Sequence, residues 1–228
     1  MNLEPIIFLF LSGSLIPLRS FKMEFKISKE LEDYRNSINF MDSHINNMIS
    51  NKKEDLIWLL EYPNIYTYGP LSKKKDLLEP EKFPVIPSER GGQYTYHGPG
   101  QRVVYLMINL REKSKDIKKF IFLIENIIIE SLSRIGLKAE TSNEHHGIFI
   151  EKKNELYKIA SIGMKFKKWI SFHGFSLNIN PDLENYKGIR PCGLNNNLVT
   201  SIENEGITIE KKIIDDILID EIKKHFLK

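Results

Sequence analysis

At 228 residues, with 41% hydrophobic and 28% charged side chains, the chain is long enough for a core-bearing domain and too apolar to be disordered. A formal net charge of +3 is small, and no nucleic-acid motif accompanies it, so no nucleic-acid partner is expected. A single cysteine, Cys192, excludes an internal disulfide and any multi-cysteine zinc site.

The apolar stretch from Pro5 to Leu18 is too short to span a bilayer, and Asn2, Leu3 and Glu4 stand where a secretory signal would carry positive charge. Residues 1–22 are therefore set apart as an N-terminal extension. A native start at Met23 is expected, with an organellar leader as the competing reading. Intact mass of the natively expressed protein would sink that expectation if residues 1–22 were present. No linker, repeat or low-complexity tract interrupts 23–228, which reads as a single catalytic domain.

Ser28 is placed to cap a helix with apolar residues at Leu31, Tyr34, Ile38, Met41, Ile45 and Met48, a spacing of three and four. Asp55 to Glu61 reads as a buried strand, turned by Pro63-Asn64 towards a second strand from Ile65 to Tyr68. Val103 to Leu110 is a further strand. A helix from Asp116 to Ile135 follows, with Ile117, Phe120, Ile124, Ile127 and Ile128 on its apolar face and Gly136 as its stop. Ile148 to Glu151, Tyr157 to Met164, Trp169 to Phe172 and Phe175 to Ile179 are short runs separated by turns, which predicts antiparallel hairpins. A last helix spans Lys211 to Phe226. Strands in runs with helices before and after predict an α+β sandwich rather than regular βαβ alternation.

Four segments carry chemistry. Arg90-Gly-Gly-Gln-Tyr-Thr-Tyr-His-Gly-Pro-Gly-Gln101 surrounds an arginine, two tyrosines and a histidine with glycines. Such a segment is either a tight turn or a loop whose backbone approaches a ligand, and convergent polar groups are what pockets use. Lys158, within Lys158-Ile-Ala-Ser-Ile-Gly163, is either a solvent-facing lysine or one desolvated enough by its apolar neighbours to act as a base near neutrality. In Phe172-His-Gly-Phe-Ser-Leu-Asn178, a glycine inside a strand pattern signals a bulge or close backbone approach, and His173 is read as a satisfied core histidine. Cys192 lies between Pro191 and Gly193, which presents a side chain at a bend. The competing reading is an inert buried thiol.

Together these segments resemble four motifs of the octanoyl-acyl-carrier-protein:protein octanoyltransferases, the lipoyl(octanoyl) transferases, in the family's order and with similar spacing. Glu61-Tyr-Pro-Asn-Ile-Tyr-Thr-Tyr-Gly69 resembles a fifth, and the resemblance covers roughly Met23 to Ile202. Phe175-Ser176 and Tyr94 depart from the family's more usual small or aliphatic residues, which bears on acyl-pocket shape more than on the reaction. The resemblance implies an α+β fold with a mixed β-sheet packed with helices, similar to the catalytic domain of biotin and lipoate ligases. It implies Cys192 as nucleophile and Lys158 as the neighbouring base. It implies an acyl site lined by Arg90, Gly91, Gly92, Gln93, Tyr94, Thr95, Tyr96, His97, Ser161, Ile162, Gly163, Gly174, Phe175 and Ser176.

The implied reaction takes octanoyl from octanoyl-acyl carrier protein, holds it as an octanoyl-Cys192 thioester and passes it to the target lysine of a lipoyl domain. The implied acceptors are lipoyl domains of 2-oxoacid dehydrogenase E2 subunits and the glycine cleavage H protein. No metal, nucleotide or other cofactor is required by this scheme. A thiol of ordinary pKa near ~8.5 is only a few per cent thiolate at pH 7, so Lys158 would have to take its proton or stabilise its anion. Lysine clusters at 73–75, 113–119 and 165–168 are either solvated faces or steering surfaces for acidic carrier and lipoyl domains. No membrane partner is expected, a monomer is the default, and the expected compartment is the cytoplasm, or an organellar matrix in a eukaryote. An ATP-dependent lipoate or octanoate ligase on the same fold is the nearest alternative, and a catalytically silent binding module for lipoyl domains or carriers is another.

Overall fold

The structure is a computed structural model and describes residues 8–11, 14–17, 22–111, 113, 115–190 and 198–227. A short antiparallel hairpin, β1 (Phe8–Leu11) with β2 (Ser14–Pro17), precedes the rest. The large sheet begins with β3 (Met23–Ile27), after which the chain forms helix α1 (Tyr34–Ile49), then β4 (Asp55–Leu60), β5 (Ile65–Tyr68), β6 (Val85–Pro87), β7 (Tyr94–His97) and β8 (Gln101–Met107). Helix α2 (Ile117–Arg134) leads to β9 (Glu140–Thr141), β10 (Ile148–Lys152), β11 (Glu155–Lys167) and β12 (Ile170–Asn178), and α3 (Lys211–Phe226) follows. Seven strands pair in the order β3-β4-β8-β12-β11-β10-β9, and a smaller sheet has the order β6-β5-β7. β3 with β4 and β5 with β6 are parallel, and the other pairings in these two sheets are antiparallel, so the expected mixed sheets of an α+β fold are present.

Alternation along the central strands divides the core in two. From β4 and β8, Ile57, Leu59, Val104 and Leu106 pack with Phe120, Ile124, Ile127 and Ile128 of α2 and with Ile214, Leu218 and Ile222 of α3. Their neighbours Leu56, Trp58, Leu60, Val103, Tyr105 and Met107 face Tyr34, Met41, Ile45 and Met48 of α1. Each fully buried aliphatic side chain contributes roughly 1.5–3 kcal/mol to this arrangement. A buried ion pair ties α3 to the sheet, because Arg102 donates to both carboxylate oxygens of Asp215 at 2.8 Å. Glu61 stands beside it at 4.0 Å, receives Lys211 Nζ at 2.9 Å and accepts the Gly100 N–H at 3.2 Å.

Two local expectations are corrected. Helix α1 is capped by Asp33, whose carboxylate accepts the Asn36 N–H at 2.8 Å, and Leu31 lies outside it and exposed. Ser28 is held elsewhere: its hydroxyl donates to Glu32 and accepts from the Trp58 indole at 2.9 Å. The runs Trp169–Phe172 and Phe175–Ile179 form one strand rather than two, with the hairpin turn at Lys168 and Trp169, where φ is +49° and +65°. Of the two readings of Gly174, bulge or close backbone approach, the second holds, since a Cβ there would lie 1.9 Å from the Val104 carbonyl oxygen. On α2, Ile117 is exposed at the first turn, whereas the other four predicted apolar positions are buried, and Gly136 ends the helix region at φ +86°.

Candidate active site

Small residues on neighbouring strands hollow out one face of the large sheet. Ser161 of β11 stands opposite Ser176 of β12, which in turn stands opposite Val103 of β8. One step of two residues along, Gly163 stands opposite Gly174 and Gly174 opposite Tyr105. Because successive side chains alternate across a sheet, these six residues share a face and leave a trough where larger side chains would otherwise stand. The trough is the floor of a cavity of about 410 Å³. Ile162 and Phe175, between the small residues, belong to the core on the α2/α3 side and border the cavity.

The glycine-rich segment forms the opposite wall. Arg90 holds it in shape: Nη2 donates to the Thr67 carbonyl and hydroxyl at 3.0 Å and to the Gln93 carbonyl at 2.9 Å, while Nη1 donates to the Gly91 carbonyl at 3.1 Å. Gly91 N–H donates to the Met164 carbonyl at 3.2 Å and fastens this wall to β11. Arg90, Gly91, Gly92, Tyr94, Thr95 and His97 line the cavity. Gln93 and Tyr96, expected there, do not. Tyr96 faces the other way on β7, where its hydroxyl donates to Asn64 at 2.7 Å and accepts from Asn185 at 3.1 Å. Gln93 contributes its backbone carbonyl to Arg90.

Two histidines at the inner end are neutral. Gln101 Nε2 donates to the Tyr96 carbonyl at 3.2 Å and to Asn178 Oδ1 at 2.9 Å, so its Oε1 faces His97 Nδ1 at 2.6 Å. His97 therefore carries its proton on Nδ1 and keeps Nε2 as an acceptor. Burial, reinforced by the charge of Arg90, lowers its pKa to about 4. Burial lowers His173 to about 3, with Arg90, Lys165 and His97 adding to the effect. Tyr105 and Tyr62 share a 2.7 Å hydrogen bond, Tyr34 donates to Ser88 at 2.8 Å, and burial raises the pKa of all three phenols. These histidines and phenols leave the inner end of the cavity uncharged at neutral pH, with the Arg90 guanidinium turned to the backbone carbonyls of its own wall, which suits an apolar guest there.

His173 departs from the expected satisfied core histidine. It is buried at 2% exposure, adopts φ +65°, borders the cavity, and its Nε2 has no hydrogen-bond partner among the described residues. Lys158 is desolvated, also at 2% exposure, with its ammonium 5.4 Å from the Phe149 ring centroid. Its side chain lies behind Gly147 rather than on the cavity wall: a Cβ on Gly147 would stand 3.1 Å from Lys158 Cε. Its backbone N–H donates to the Leu198 carbonyl, and its carbonyl accepts from Thr200, both at 2.9 Å. Cys192, with Pro191 and Gly193, lies outside the described residues.

The chain matches the lipoyl protein ligase A/B catalytic domain family over residues 33–228. The chain belongs to this family. It is 39% identical over 213 residues to an octanoyltransferase of Bartonella quintana, covering 90% of this chain and 87% of that protein. It is 41% identical over 198 residues to an octanoyltransferase of Zymomonas mobilis, covering 87% and 92% respectively. A solved structure of lipoate-protein ligase A bound with ATP superposes with a TM-score of 0.72 at 13% identity, over 90% of this chain and 85% of that one. This likeness establishes the shared fold.

In this lipoyl protein ligase A/B domain, several wall residues carry no sequence signal. Tyr34 and Tyr105 read as core positions of a helix and a strand, yet their rings close the cavity. Glu125 reads as a polar position on α2, and His146 as part of a loop, yet both border the cavity. Glu130, Glu221 and His225 form a group with metal-like spacing, but Lys224 already bonds both carboxylates there.

Proposed function

We propose that this chain is an acyltransferase that moves octanoyl from the thioester of an acyl carrier protein, through a thioester on Cys192, to the lysine of a lipoyl domain. The observation that carries this reading is a neutral trough lined by small residues beside a desolvated lysine, in a chain 39–41% identical to octanoyltransferases over nearly its whole length. Burying an eight-carbon chain there is worth about 0.8 kcal/mol per methylene, enough to hold the acyl group without polar contacts. The backbone N–H groups near Ile162-Gly163 or beside Cys192 are the candidates for the developing oxyanion.

The chemistry follows from the groups. The Cys192 thiolate attacks the carrier thioester, the carrier sulfur leaves and takes a proton, and an acyl thioester of similar reactivity results. The acceptor amine then attacks, the C–N bond forms, the C–S bond breaks, and a stable amide departs. Lys158 relays a proton in each half, a role suited to a desolvated amine. An ATP-dependent ligase would activate free acid and would not need Cys192. The likeness to the ATP-bound ligase stands at 13% identity, far below that to the octanoyltransferases.

Intact mass after mixing with octanoyl carrier protein tests the reading, beside Cys192→Ser and Lys158→Ala. An octanoyl adduct on the wild type, absent with serine and much slower with alanine, is expected. No adduct without ATP, with lipoyl-domain labelling only when ATP and free octanoate are supplied, would move the assignment to the ligase. No described helix is long and apolar enough to cross a membrane. Both protein substrates would be steered by exposed Lys73, Lys74, Lys75, Lys115, Lys118 and Lys119, whereas Lys113 and Lys165 are engaged with Asp55 and Glu89.

A further inference from the structure

The open side of the cavity carries two titratable groups that the transfer scheme above does not use. Glu125 projects from α2 in a wall otherwise made by Ile117, Ile121 and Phe166, and His146 stands across from it in the loop before β10. Glu125 is half-buried, and among the described residues its carboxylate makes no hydrogen bond or ion pair at bonding distance. Burial raises its pKa, and the nearby His146 imidazole is the charge that opposes this rise. A carboxylate kept in an apolar wall costs free energy unless a cation comes to it.

The loop is tied down by local contacts. Ser142 Oγ accepts the N–H groups of Glu144 and His145 at 3.2 Å, and the His145 ring packs 6.4 Å from Phe149, the ring beside the Lys158 ammonium. Gly147 adopts φ +125° and rests on Lys158 and on the Ala160 carbonyl, where a Cβ would be 2.6 Å from the oxygen. His146 is thus one residue from the backbone that covers Lys158, and it is exposed to water on its outer side. Among the described residues, the charged or titratable groups near it are Glu125 from α2, Lys158 from β11 beneath Gly147, and Glu144 and His145 in its own loop.

We infer that Glu125 and His146 receive the acceptor lysine: the carboxylate draws in its ammonium, and the imidazole takes the proton that must leave before the amine can attack. This rests on the octanoyl-transfer reading. A lysine of ordinary pKa near ~10.4 is almost entirely ammonium at pH 7, so a thioester held in the cavity meets few neutral amines unless a base is supplied. Imidazole is the side chain suited to that exchange near neutrality. In the balanced step, one ammonium proton passes to His146 and the imidazolium is held by Glu125. The amine forms the C–N bond as the C–S bond breaks. Its second proton goes through Lys158 to the departing sulfur, and His146 returns its proton to water.

The test uses the full chain loaded with octanoyl from its carrier, and reads two reactions of the same acyl-enzyme. One is transfer to a whole lipoyl domain, whose lysine arrives charged. The other is cleavage by hydroxylamine, which arrives neutral at pH 7. In His146→Ala and Glu125→Gln the ratio of lysine transfer to hydroxylamine cleavage should fall about tenfold or more, the scale of a lost general base. Glu125→Gln should act mainly on KM for the lipoyl domain and His146→Ala mainly on kcat. Raising the pH from 7 to 9 should restore the alanine variant more than the wild type. An unchanged ratio in both variants overturns this assignment alone. No octanoyl adduct on the wild-type chain overturns the transfer reading, and this assignment with it.

Discussion

Lowering the pH from 7.5 to 5 should destabilise the fold through His97 and His173. Both are buried and neutral, with pKa values lowered to about 4 and about 3, against roughly 6.5 for histidine in an unfolded chain. Between those values the unfolded chain binds protons that the folded chain refuses, so stability is complete above pH 6.5 and is lost as the pH falls below it. At pH 5 each histidine then costs about 2 kcal/mol, and the pair about 4 kcal/mol, a large share of the 5–15 kcal/mol of an ordinary domain. His44, also lowered by burial, adds in the same direction. Asp55 and Asp215, whose pKa values burial raises, gain stability as the pH falls and so work against the loss. Urea unfolding at the two pH values, for the wild type and for His173→Asn, measures this directly. The variant should show about half the wild-type loss. Equal stability of the wild type at pH 7.5 and 5, or the same loss in the variant, would refute the neutral-histidine argument.

Three further outcomes follow from particular contacts. Gly174→Ala places a Cβ 1.9 Å from the Val104 carbonyl oxygen and should cost about 3 kcal/mol or more by denaturant titration, whereas Gly136→Ala, with nothing within 4 Å but φ +86°, should cost about 1 kcal/mol. Asp215→Asn strands the buried Arg102 and should cost about 3–5 kcal/mol, much of it recovered in an Arg102→Met, Asp215→Leu double variant; a cost below 1 kcal/mol for Asp215→Asn would count against the buried pair. Arg90→Lys cannot reproduce the fork that joins Thr67, Gly91 and Gln93, so KM for the acyl carrier should rise while the thermal midpoint moves by only a few degrees.

The strong periodic segments were legible in the sequence because burial there follows the repeat of the element itself. The α2 stripe apart from Ile117, the buried strand from Asp55 and the final helix stand as expected, and the structure gathers part of the glycine-rich segment with Ser161 to Gly163 and Gly174 to Ser176 around one cavity. Caps and turns were less legible. Ser28 and Asp33 are both good capping residues, and the choice between them was settled by Trp58, which holds Ser28 from another strand. Gly174 was legible as a place of close backbone approach, but a sequence window cannot name Val104 as the residue that presses against it. Tyr96 was expected in the site because its motif is contiguous, but its ring packs with Tyr66 and Tyr186 and its hydroxyl bonds Asn64 and Asn185, away from the cavity. Glu125 and His146 carried no signal because their meeting depends on how α2 lies across the sheet.

The trough is made by side chains that are absent, which ties the cavity's capacity to strand register. A slip of β11 and β12 by one residue would turn Ile162 and Phe175 into the space now left by Ser161, Gly163, Gly174 and Ser176. If the cavity holds the acyl chain as proposed, the sheet measures its length from the floor, and a single added methyl group at Ser161 or Ser176 is a shorter ruler.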